Sequence, residues 1–393
     1  MKVTDIQTIP YAIPLKKPIR MSSHLMREIP VLLVKVMTDE GIEGFGETYC
    51  FKAIDAIIHN QIKPLVVGED PFDTERMVAY CLNRFPLIER PEISTSAVAG
   101  VEMACWDIVG KFLHLPVYKL LGGCYRKQIP ITCFLGIGSP DEVRRDAVSA
   151  VQQGFRTIKL KVGRNPEEDI EIVKAVRGEV GGQIMLRIDA NQAWSIPTAI
   201  RQIKKMARYD PQYVEQPIPR WDINGLAHIR KTVDVPIGVC EGAFTIYRVM
   251  ELIRREALDF LSTDPVRMGG LLQAKKLSGI AEAAGIPVVT HISEGDIQTA
   301  AWLHWIASTP SMNYSHDISL VSNGIGWVRV DTIVTEPVNI EKGYVEISDK
   351  PGLGVEIDKG KLTHYTRHYK EKYRDSEMEA KLDKQIFPPY PLY

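Results

Sequence analysis

The apolar and polar positions of this chain follow two different patterns. Residues 31–36 and 44–47 are typical of short strands separated by the turn Asp39-Glu40-Gly41, which predicts an opening hairpin or meander. From about residue 71 to residue 122 the apolar positions follow a helical period instead, and the small residues within 96–111 indicate a helix packed closely on its neighbour. Residues 1–125 are therefore predicted to form an α+β unit, with strands first and helices after.

The next region repeats a strand and a helix. Short apolar runs end in a polar residue at intervals of 23 to 28 residues, and one further run at 130–135 lies about one period earlier. The polar residues in question are Lys161, Asp189, Glu215, Glu241, Asp264, His291 and Asp317. A strand, a helix and two loops need about this many residues, and such units close into a (β/α) barrel. We therefore expect an eight-stranded barrel over residues 126–325, followed at 326–393 by a β-rich segment and a charged helical tail.

The composition limits the kinds of molecule that this protein is expected to bind. The 48 Lys and Arg residues balance 49 Asp and Glu residues, which leaves no overall positive field for nucleic acid or anionic lipid. The apolar runs are too short to span a bilayer and the first residues lack a signal peptide's apolar core, so we expect a cytoplasmic protein without a membrane partner. Six cysteines without a C-x-x-C pair indicate reduced thiols in the core. The glycines at 41–46 precede no βα crossover, so they do not predict a nucleotide site.

Catalytic groups of a barrel lie at the carboxyl ends of its strands, where these polar residues fall. Lys159 and Lys161 are two positions apart in one strand, so both side chains point into the barrel mouth. Repulsion between two neighbouring ammonium groups is expected to lower the pKa of one of them, which would suit a lysine that acts as a base. A single lysine at a strand end is otherwise an ordinary solvated charge.

Three consecutive strand ends carry carboxylates, at Asp189, Glu215 and Glu241. Three acids converging on one mouth repel each other unless a hard cation lies among them, and a set of oxygen ligands suits Mg²⁺. The next two strand ends carry Asp264 and His291, and a carboxylate beside an imidazole fixes its tautomer and raises its basicity. The pattern therefore predicts one Mg²⁺ per subunit and a His-Asp acid–base pair.

Several short motifs resemble those of the enolase superfamily, specifically its mandelate racemase and muconate lactonizing enzyme family. They are Trp106-Asp107-Ile108-Val109-Gly110-Lys111, Leu120-Leu121-Gly122-Gly123, the K-x-K of Lys159 and Lys161, Asp189-Ala190-Asn191, Glu215-Gln216-Pro217 and Gly269-Gly270. The resemblance implies a (β/α)7β barrel whose mouth is closed by a capping domain, built from the N-terminal region together with the returning C-terminal segment. It also implies Asp189, Glu215 and Glu241 as the Mg²⁺ ligands, and a homo-oligomer, from dimer to octamer.

The partner of Lys161 on the opposite face distinguishes branches of this family. Relatives of the muconate lactonizing type carry a second lysine in K-x-G-G, where this chain has Arg267, and arginine is not deprotonated in proteins. Asp264 and His291 instead resemble the racemase-like dyad. Racemase-like relatives usually have a Glu at the eighth strand end, where this chain offers His316 and Asp317. By resemblance, the further candidates for substrate binding are His24 and Tyr49 in capping loops, with Asn191 and Arg267 at the mouth.

The reaction implied by the resemblance begins with removal of the proton α to a carboxylate, through an enediolate. With Lys161 on one face and His291 on the other, a β-hydroxyl can be expelled as water, which would make the chain an acid-sugar dehydratase. Without such a hydroxyl the second base returns the proton to the opposite face, giving a racemase or epimerase; a cycloisomerase is a further alternative. A remote alternative is a barrel that binds a ligand without catalysis. Evolutionary drift after loss of catalysis would, however, be expected to remove at least one of these groups.

Overall fold

The computed structural model describes residues 1–83, 91–319 and 328–373. It opens with an antiparallel sheet of three strands, β1 (Val3–Arg20), β2 (Leu25–Thr38) and β3 (Glu43–Tyr49), paired in that order. This is the meander that the alternation in the sequence predicts. Leu32, Val34 and Val36 of β2 are buried in one cluster with residues of the helices that follow, so these helices cover one face of the sheet.

Five helices follow the meander. They are α1 (Lys52–Ile57), α2 (Lys63–Val66), α3 (Thr74–Asn83), α4 (Pro91–Phe112) and α5 (Val117–Leu120), with a turn of π-helix between the first two. Helix α4 packs directly on β3, because glycines remove side chains from the interface. A Cβ atom on Gly46 would lie 2.0 Å from the carbonyl oxygen of Gly100 in α4. The small residues that predict close packing are therefore required by the distance between this strand and this helix.

The central element is a curled parallel sheet of seven strands. After the short β4 (Gln128–Pro130) they are β5 (Thr132–Leu135), β6 (Thr157–Lys161), β7 (Met185–Asp189), β8 (Pro211–Glu215), β9 (Ile237–Val239), β10 (Phe260–Thr263) and β11 (Val288–Thr290). The helices between and after them are α6 (Pro140–Gln152), α7 (Pro166–Val180), α8 (Ile196–Met206), α9 (Ile223–Thr232), α10 (Ile246–Arg254), α11 (Pro265–Met268), α12 (Leu271–Ala283) and α13 (Asp296–Ala307). Each strand pairs with the next in the chain, which is the strand-and-helix repeat expected from the sequence spacing.

The expected eighth strand is replaced by a single bridge. His316 pairs with Ile131 beside β5, and Thr132 donates its backbone N–H to the His316 carbonyl at 2.9 Å. On the side of β11, hydrogen bonds that involve side chains replace a backbone ladder. The Thr290 hydroxyl donates to the Asp317 carbonyl oxygen, and the Thr290 N–H donates to Nδ1 of His316. The segment at 316–317 thus lies between the two outermost strands of the sheet, although it forms no regular strand of its own.

The C-terminal part returns to the beginning of the chain. Strands β12 (Ile340–Glu341) and β13 (Tyr344–Glu346) pair with β4, and helix α14 (Lys359–Tyr373) packs on β1. The buried Glu28 of β2 contacts His368 and Lys372 at 3.0 and 2.8 Å and accepts a hydrogen bond from Tyr373. The predicted charged tail continues past α14 into residues 374–393, which lie outside the described residues. No helix in the described parts of the chain has the length and apolar character needed to cross a bilayer.

Candidate active site

Two lysines and three acids lie at the carboxyl ends of neighbouring strands. The register pairs Lys161 of β6 with Asp189 of β7, and Asp189 with Glu215 of β8, so the three ends stand side by side. Lys161 Nζ lies 2.5 Å from Asp189 Oδ2 and 2.7 Å from Asn191 Oδ1. Lys159 lies one layer deeper. Its Nζ lies 2.8 Å from Glu215 Oε1 and 2.9 Å from Asp317 Oδ2.

The expected repulsion between the lysines is not what sets the pKa of Lys159. Burial by itself would lower this pKa, but the carboxylates of Asp317, Glu215 and Asp189 raise it well above its usual range. The expectation of a depressed pKa is therefore wrong for Lys159, because three carboxylates surround its ammonium group. Lys159 acts as a fixed cation in the floor of the site.

The three strand-end acids differ in their electrostatic surroundings. Burial would raise the pKa of Asp189, yet Lys161 and Lys159 lower it to about 2. Burial raises the pKa of Glu215 to about 7. Glu241, two residues beyond β9, accepts a hydrogen bond from Asn191 Nδ2 at 3.0 Å. Asp189 and Glu215 therefore differ in their affinity for protons although they are paired in the register of neighbouring strands.

The carboxylates of these acids are chemically suited to bind a cation. Oε2 of Glu215 and Oε2 of Glu241 are buried and have no hydrogen-bond partner within the described residues, a costly state for a carboxylate oxygen. Oxygen donors of this kind are those that Mg²⁺ prefers. As the side chains stand, no three His, Cys, Asp or Glu groups in residues 1–83, 91–319 and 328–373 are gathered as closely as a metal site requires. The lysine amines hold two of the acids instead.

On the other side of the acids, β10 and β11 bring together a dyad and an arginine. His291 Nδ1 lies 3.2 Å from Asp264 Oδ2, a close contact without the alignment of a hydrogen bond. Arg267 Nε lies 3.3 Å from the same oxygen, and Arg267 Nη2 lies 3.3 Å from His291 Nε2. Burial and the positive charge of Arg267 together lower the pKa of His291, against the opposite effect of Asp264. The imidazole is therefore neutral near pH 7.

Arg267 connects this dyad to the N-terminal sheet. Its Nε donates to the Tyr49 hydroxyl at 3.1 Å, and its Nη1 lies 3.2 Å from Cys240 Sγ. The guanidinium of Arg267 is thus held on three sides, by Tyr49, Cys240 and the Asp264–His291 dyad. Tyr49 reaches the site through Arg267, as a second layer behind it.

A cavity of about 290 Å³ opens over these groups. It is lined by Met21, Ser23, His24, Met26, Phe134, Lys159, Lys161, Asn191, Gln192, Glu241, Arg267, His291, Ile292, Glu294 and Asp317. His24 comes from the loop between β1 and β2, so the N-terminal region supplies one wall. Of the candidate substrate-binding residues, His24, Asn191, Arg267 and Asp317 line the cavity, whereas Tyr49 and His316 do not.

Both ring nitrogens of His316 contact backbone groups outside the cavity. It is fully buried, its Nδ1 accepts from the Thr290 backbone, and its Nε2 lies 3.2 Å from the Met312 carbonyl oxygen. Its neighbour Asp317 instead faces Lys159 and the cavity. The alternation of side chains along an extended segment separates the two candidates, since only one of two adjacent residues can point inward.

Glu294 and Phe134 line the cavity but are not among the residues singled out from the sequence. The Phe134 ring centre lies 4.8 Å from Lys161 Nζ, a cation–π contact. Glu294 follows His291 by three positions, on the loop that leads into α13. A search of the whole loop after each strand end, rather than of the strand end alone, would have included it.

Two family models cover most of the chain. Residues 3–122 match the mandelate racemase/muconate lactonizing enzyme N-terminal domain, and residues 142–361 match the enolase C-terminal domain-like model. The chain therefore belongs to the mandelate racemase/muconate lactonizing enzyme family of the enolase superfamily, and it is an enzyme.

Similar proteins carry several different activities. The N-succinyl-L-Arg/Lys racemase of Bacillus cereus is 30% identical over 379 residues, covering 93% of this chain and 98% of that protein. The arabinonate dehydratase of Saccharolobus solfataricus is 30% identical over 349 residues, covering 85% and 90%. The crystal structure of a dipeptide epimerase from Enterococcus faecalis, complexed with Mg and the dipeptide L-Leu-L-Tyr, is 29% identical, with a TM-score of 0.81, covering 91% of this chain and all of that one (100%). Relatives of similar identity thus include both isomerases and a dehydratase.

Proposed function

We propose that this enzyme removes the proton α to the carboxylate of a small acid in a Mg²⁺-dependent reaction, and that it dehydrates an acid sugar to a 2-keto-3-deoxy acid. The observation that carries the proposal is the placement of Lys161 and His291. They come from β6 and β11, on either side of the acid-bearing strands β7 to β9, and both line one cavity. A substrate held over the acids would therefore have a nitrogen base on each face.

Asp189, Glu215 and Glu241 would hold one Mg²⁺ per subunit, with room for waters or substrate at the remaining positions. When bound, the cation would supply the positive charge that makes the α-proton of a carboxylate acidic enough for a side-chain base. The unpartnered oxygens of Glu215 and Glu241 support this assignment. Asn191 would keep Glu241 in place through its amide, since its Nδ2 donates to Oε1 of that acid.

In the proposed reaction, the side-chain nitrogen of Lys161 takes the α-proton on one face. His291 takes a proton from solvent and gives it to the β-hydroxyl as the C–O bond breaks, so that water leaves and the enol product rearranges to a 2-keto acid. Asp264 would stabilise the imidazolium form that this step requires, at 3.2 Å from Nδ1. Lys159, held by Glu215 and Asp317, would provide a fixed positive charge near the substrate carboxylate.

A second candidate function is racemisation or epimerisation. It is favoured by the same pair of bases, since His291 could deliver a proton to the opposite face of the α-carbon when no β-hydroxyl leaves. The polar lining of the cavity, with Asn191, Gln192 and Glu294 among its residues, favours a hydroxylated substrate and hence the dehydratase. Cycloisomerisation and simple binding without catalysis are the remaining alternatives.

The test is incubation of the Mg²⁺-loaded protein with a panel of mono- and diacid sugars in D₂O, with 2-keto acid and α-deuterium both followed. Keto acid formation from one acid supports the dehydratase, and deuterium uptake without keto acid supports the racemase or epimerase. Lys161→Met and His291→Asn should each abolish turnover. Lys174→Met, at an exposed position of α7, is the matched control and should keep full activity. Full activity in both active-site variants would exclude this assignment.

We also propose the division of the chain that the sequence predicts. Residues 1–125 and 326–393 would form the capping domain, and residues 126–325 a closed (β/α)7β barrel whose eighth position is the segment at His316. A cytoplasmic homo-oligomer is part of the same proposal. Light scattering of the purified protein and limited proteolysis near residues 125 and 326 would test the oligomer and the boundaries.

A further inference from the structure

Glu294 lies in the cavity without a part in the proton transfers described above. Within the described residues, no backbone or side-chain group donates a hydrogen bond to its carboxylate. The other acids of the cavity wall are partnered, since Asn191 donates to Glu241 and Lys159 donates to Asp317. An acid that lines a cavity and is not paired by the protein around it is available to a ligand.

The backbone of Glu294 is nevertheless fixed. Its N–H donates to Gln298 Oε1 at 2.9 Å. The start of α13 is held in turn by the buried Glu47 of β3, whose Oε2 accepts from the N–H groups of Ile297 and Gln298 at 3.0 Å each. The chain passes so close to Glu47 at Gly295 that a Cβ atom there would lie 2.1 Å from Oε2. The backbone from which the Glu294 side chain enters the cavity is thus held in place.

The charges around Glu294 select the kind of group that can bind there. Arg267 is close enough to act on its carboxylate, which opposes a cationic ligand group. Asp264 and Glu47 act on it with the opposite sign, which opposes a second carboxylate. A neutral hydroxyl is opposed by neither. Burial raises the pKa of Glu294 to about 8, so the group can both donate and accept hydrogen bonds near neutral pH, as recognition of a hydroxyl requires.

We propose that Glu294 is a specificity-determining residue that binds a hydroxyl on the distal part of the substrate, beyond the α- and β-carbons. This inference rests on the proposed function, which places the substrate carboxylate over Asp189, Glu215 and Glu241 and the α-carbon between Lys161 and His291. Glu294 lines the same cavity as Lys161 and His291, so the distal part of a substrate held there can reach it. The enzyme therefore selects polyhydroxy acids over acids of equal length whose distal carbons lack hydroxyls.

The test compares wild type, Glu294→Gln and Glu294→Leu on matched pairs of acids, each pair consisting of an acid sugar and its distally deoxygenated analogue. Binding in the presence of Mg²⁺ is measured by calorimetry, alongside kcat/KM for any pair that turns over. Loss of one hydrogen bond with a charged or strongly polar group corresponds to about a 10- to 100-fold change. In Glu294→Leu we expect affinity for the hydroxylated acid to fall by about that factor, while affinity for the deoxy analogue stays within about twofold.

Glutamine keeps the shape and both hydrogen-bonding functions, so Glu294→Gln should retain most of the preference. Glu282→Gln, at an exposed position of α12, is the control and should match wild type. The inference is overturned if wild type binds no hydroxylated acid better than its deoxy partner, or if the leucine variant keeps the preference. Selective binding that Glu294→Leu removes, without deuterium exchange or dehydration of any acid, would instead uphold the inference and exclude the proposed reaction.

Discussion

Glu102 provides a test of the electrostatics through stability alone. It lies on α4, is fully buried, and accepts hydrogen bonds from the backbone N–H groups of Leu271 and Leu272 at 2.8 and 2.9 Å, where α12 begins. Trp106 Nε1 donates to the same carboxylate at 2.7 Å. Burial raises the pKa of Glu102 from an ordinary 4.5 to about 7, although these hydrogen bonds act to lower it. We therefore predict that Glu102→Gln changes how the free energy of unfolding depends on pH.

The sign follows from proton binding. Between pH 4.5 and 7 the folded protein holds a proton on Glu102 that the unfolded chain has released, so this group's contribution to stability falls as the pH rises. Each unit of pKa difference corresponds to about 1.4 kcal/mol, which gives a fall of about 2.5 kcal/mol between pH 5 and pH 8. Glutamine does not titrate and lacks this fall. The difference in the free energy of unfolding, wild type minus variant, should therefore be about 2.5 kcal/mol larger at pH 5 than at pH 8.

The assay is urea unfolding of both proteins at pH 5, 6, 7 and 8, followed by tryptophan fluorescence. Subtracting the two curves cancels every other titrating group, including the buried Glu47, whose pKa is also raised to about 7 by burial. Glu346→Gln, at an exposed position of β13, is the control. The free energy of unfolding of wild type minus that of this variant should change little between pH 5 and pH 8. A difference that changes by less than about 1 kcal/mol, or that grows with pH, would refute the reasoning.

Three further predictions concern single contacts. Gly46→Ala places a Cβ 2.0 Å from the Gly100 carbonyl oxygen and should lower the thermal midpoint markedly; an unchanged midpoint would mean that α4 can move away from β3. Arg329→Met leaves Asp296 buried without its two hydrogen bonds from the guanidinium, and should cost about 3 to 5 kcal/mol in urea unfolding, a loss that a stability near wild type would contradict. Glu241→Gln should weaken Mg²⁺ binding measured by titration calorimetry, and unaltered affinity would remove this acid from the proposed ligands.

The sequence predicts the ring of strand-end residues well because the strand-and-helix repeat has a nearly constant length. Lys161, Asp189 and Glu215 meet at one edge for that reason alone, and the motifs that resemble those of the family place the chain correctly. What a residue's neighbours do to it is harder to predict. The pKa of Lys159 rises rather than falls because the carboxylates of Asp317, Glu215 and Asp189 surround its ammonium group, and periodicity along one strand contains no information about those contacts.

Side-chain direction in irregular segments was likewise beyond the pattern. Choosing between His316 and Asp317 requires knowing that the Thr290 N–H donates to the His316 ring and the Thr290 hydroxyl to the Asp317 carbonyl oxygen, contacts that leave the Asp317 side chain facing inward. Glu294 lies on a loop, where no repeat marks inward positions. Its placement depends on Glu47, which lies 247 positions earlier in the chain. A pattern along the chain carries no information about contacts between residues so far apart in sequence.

The two carboxylates that Glu47 and Glu102 bring from the N-terminal region have a consequence for chimaeric proteins. Glu47 supplies hydrogen-bond acceptors to the first turn of α13, just after the loop that carries His291, and Glu102 supplies them to the first turn of α12, just after the short helix α11 that carries Arg267. An exchange of N-terminal halves between relatives would therefore transplant the acceptors for two recipient helices along with the specificity loops. Exchanges that keep a carboxylate at both positions should yield folded hybrids, whereas exchanges that lose one should fail even when every group in the cavity is retained.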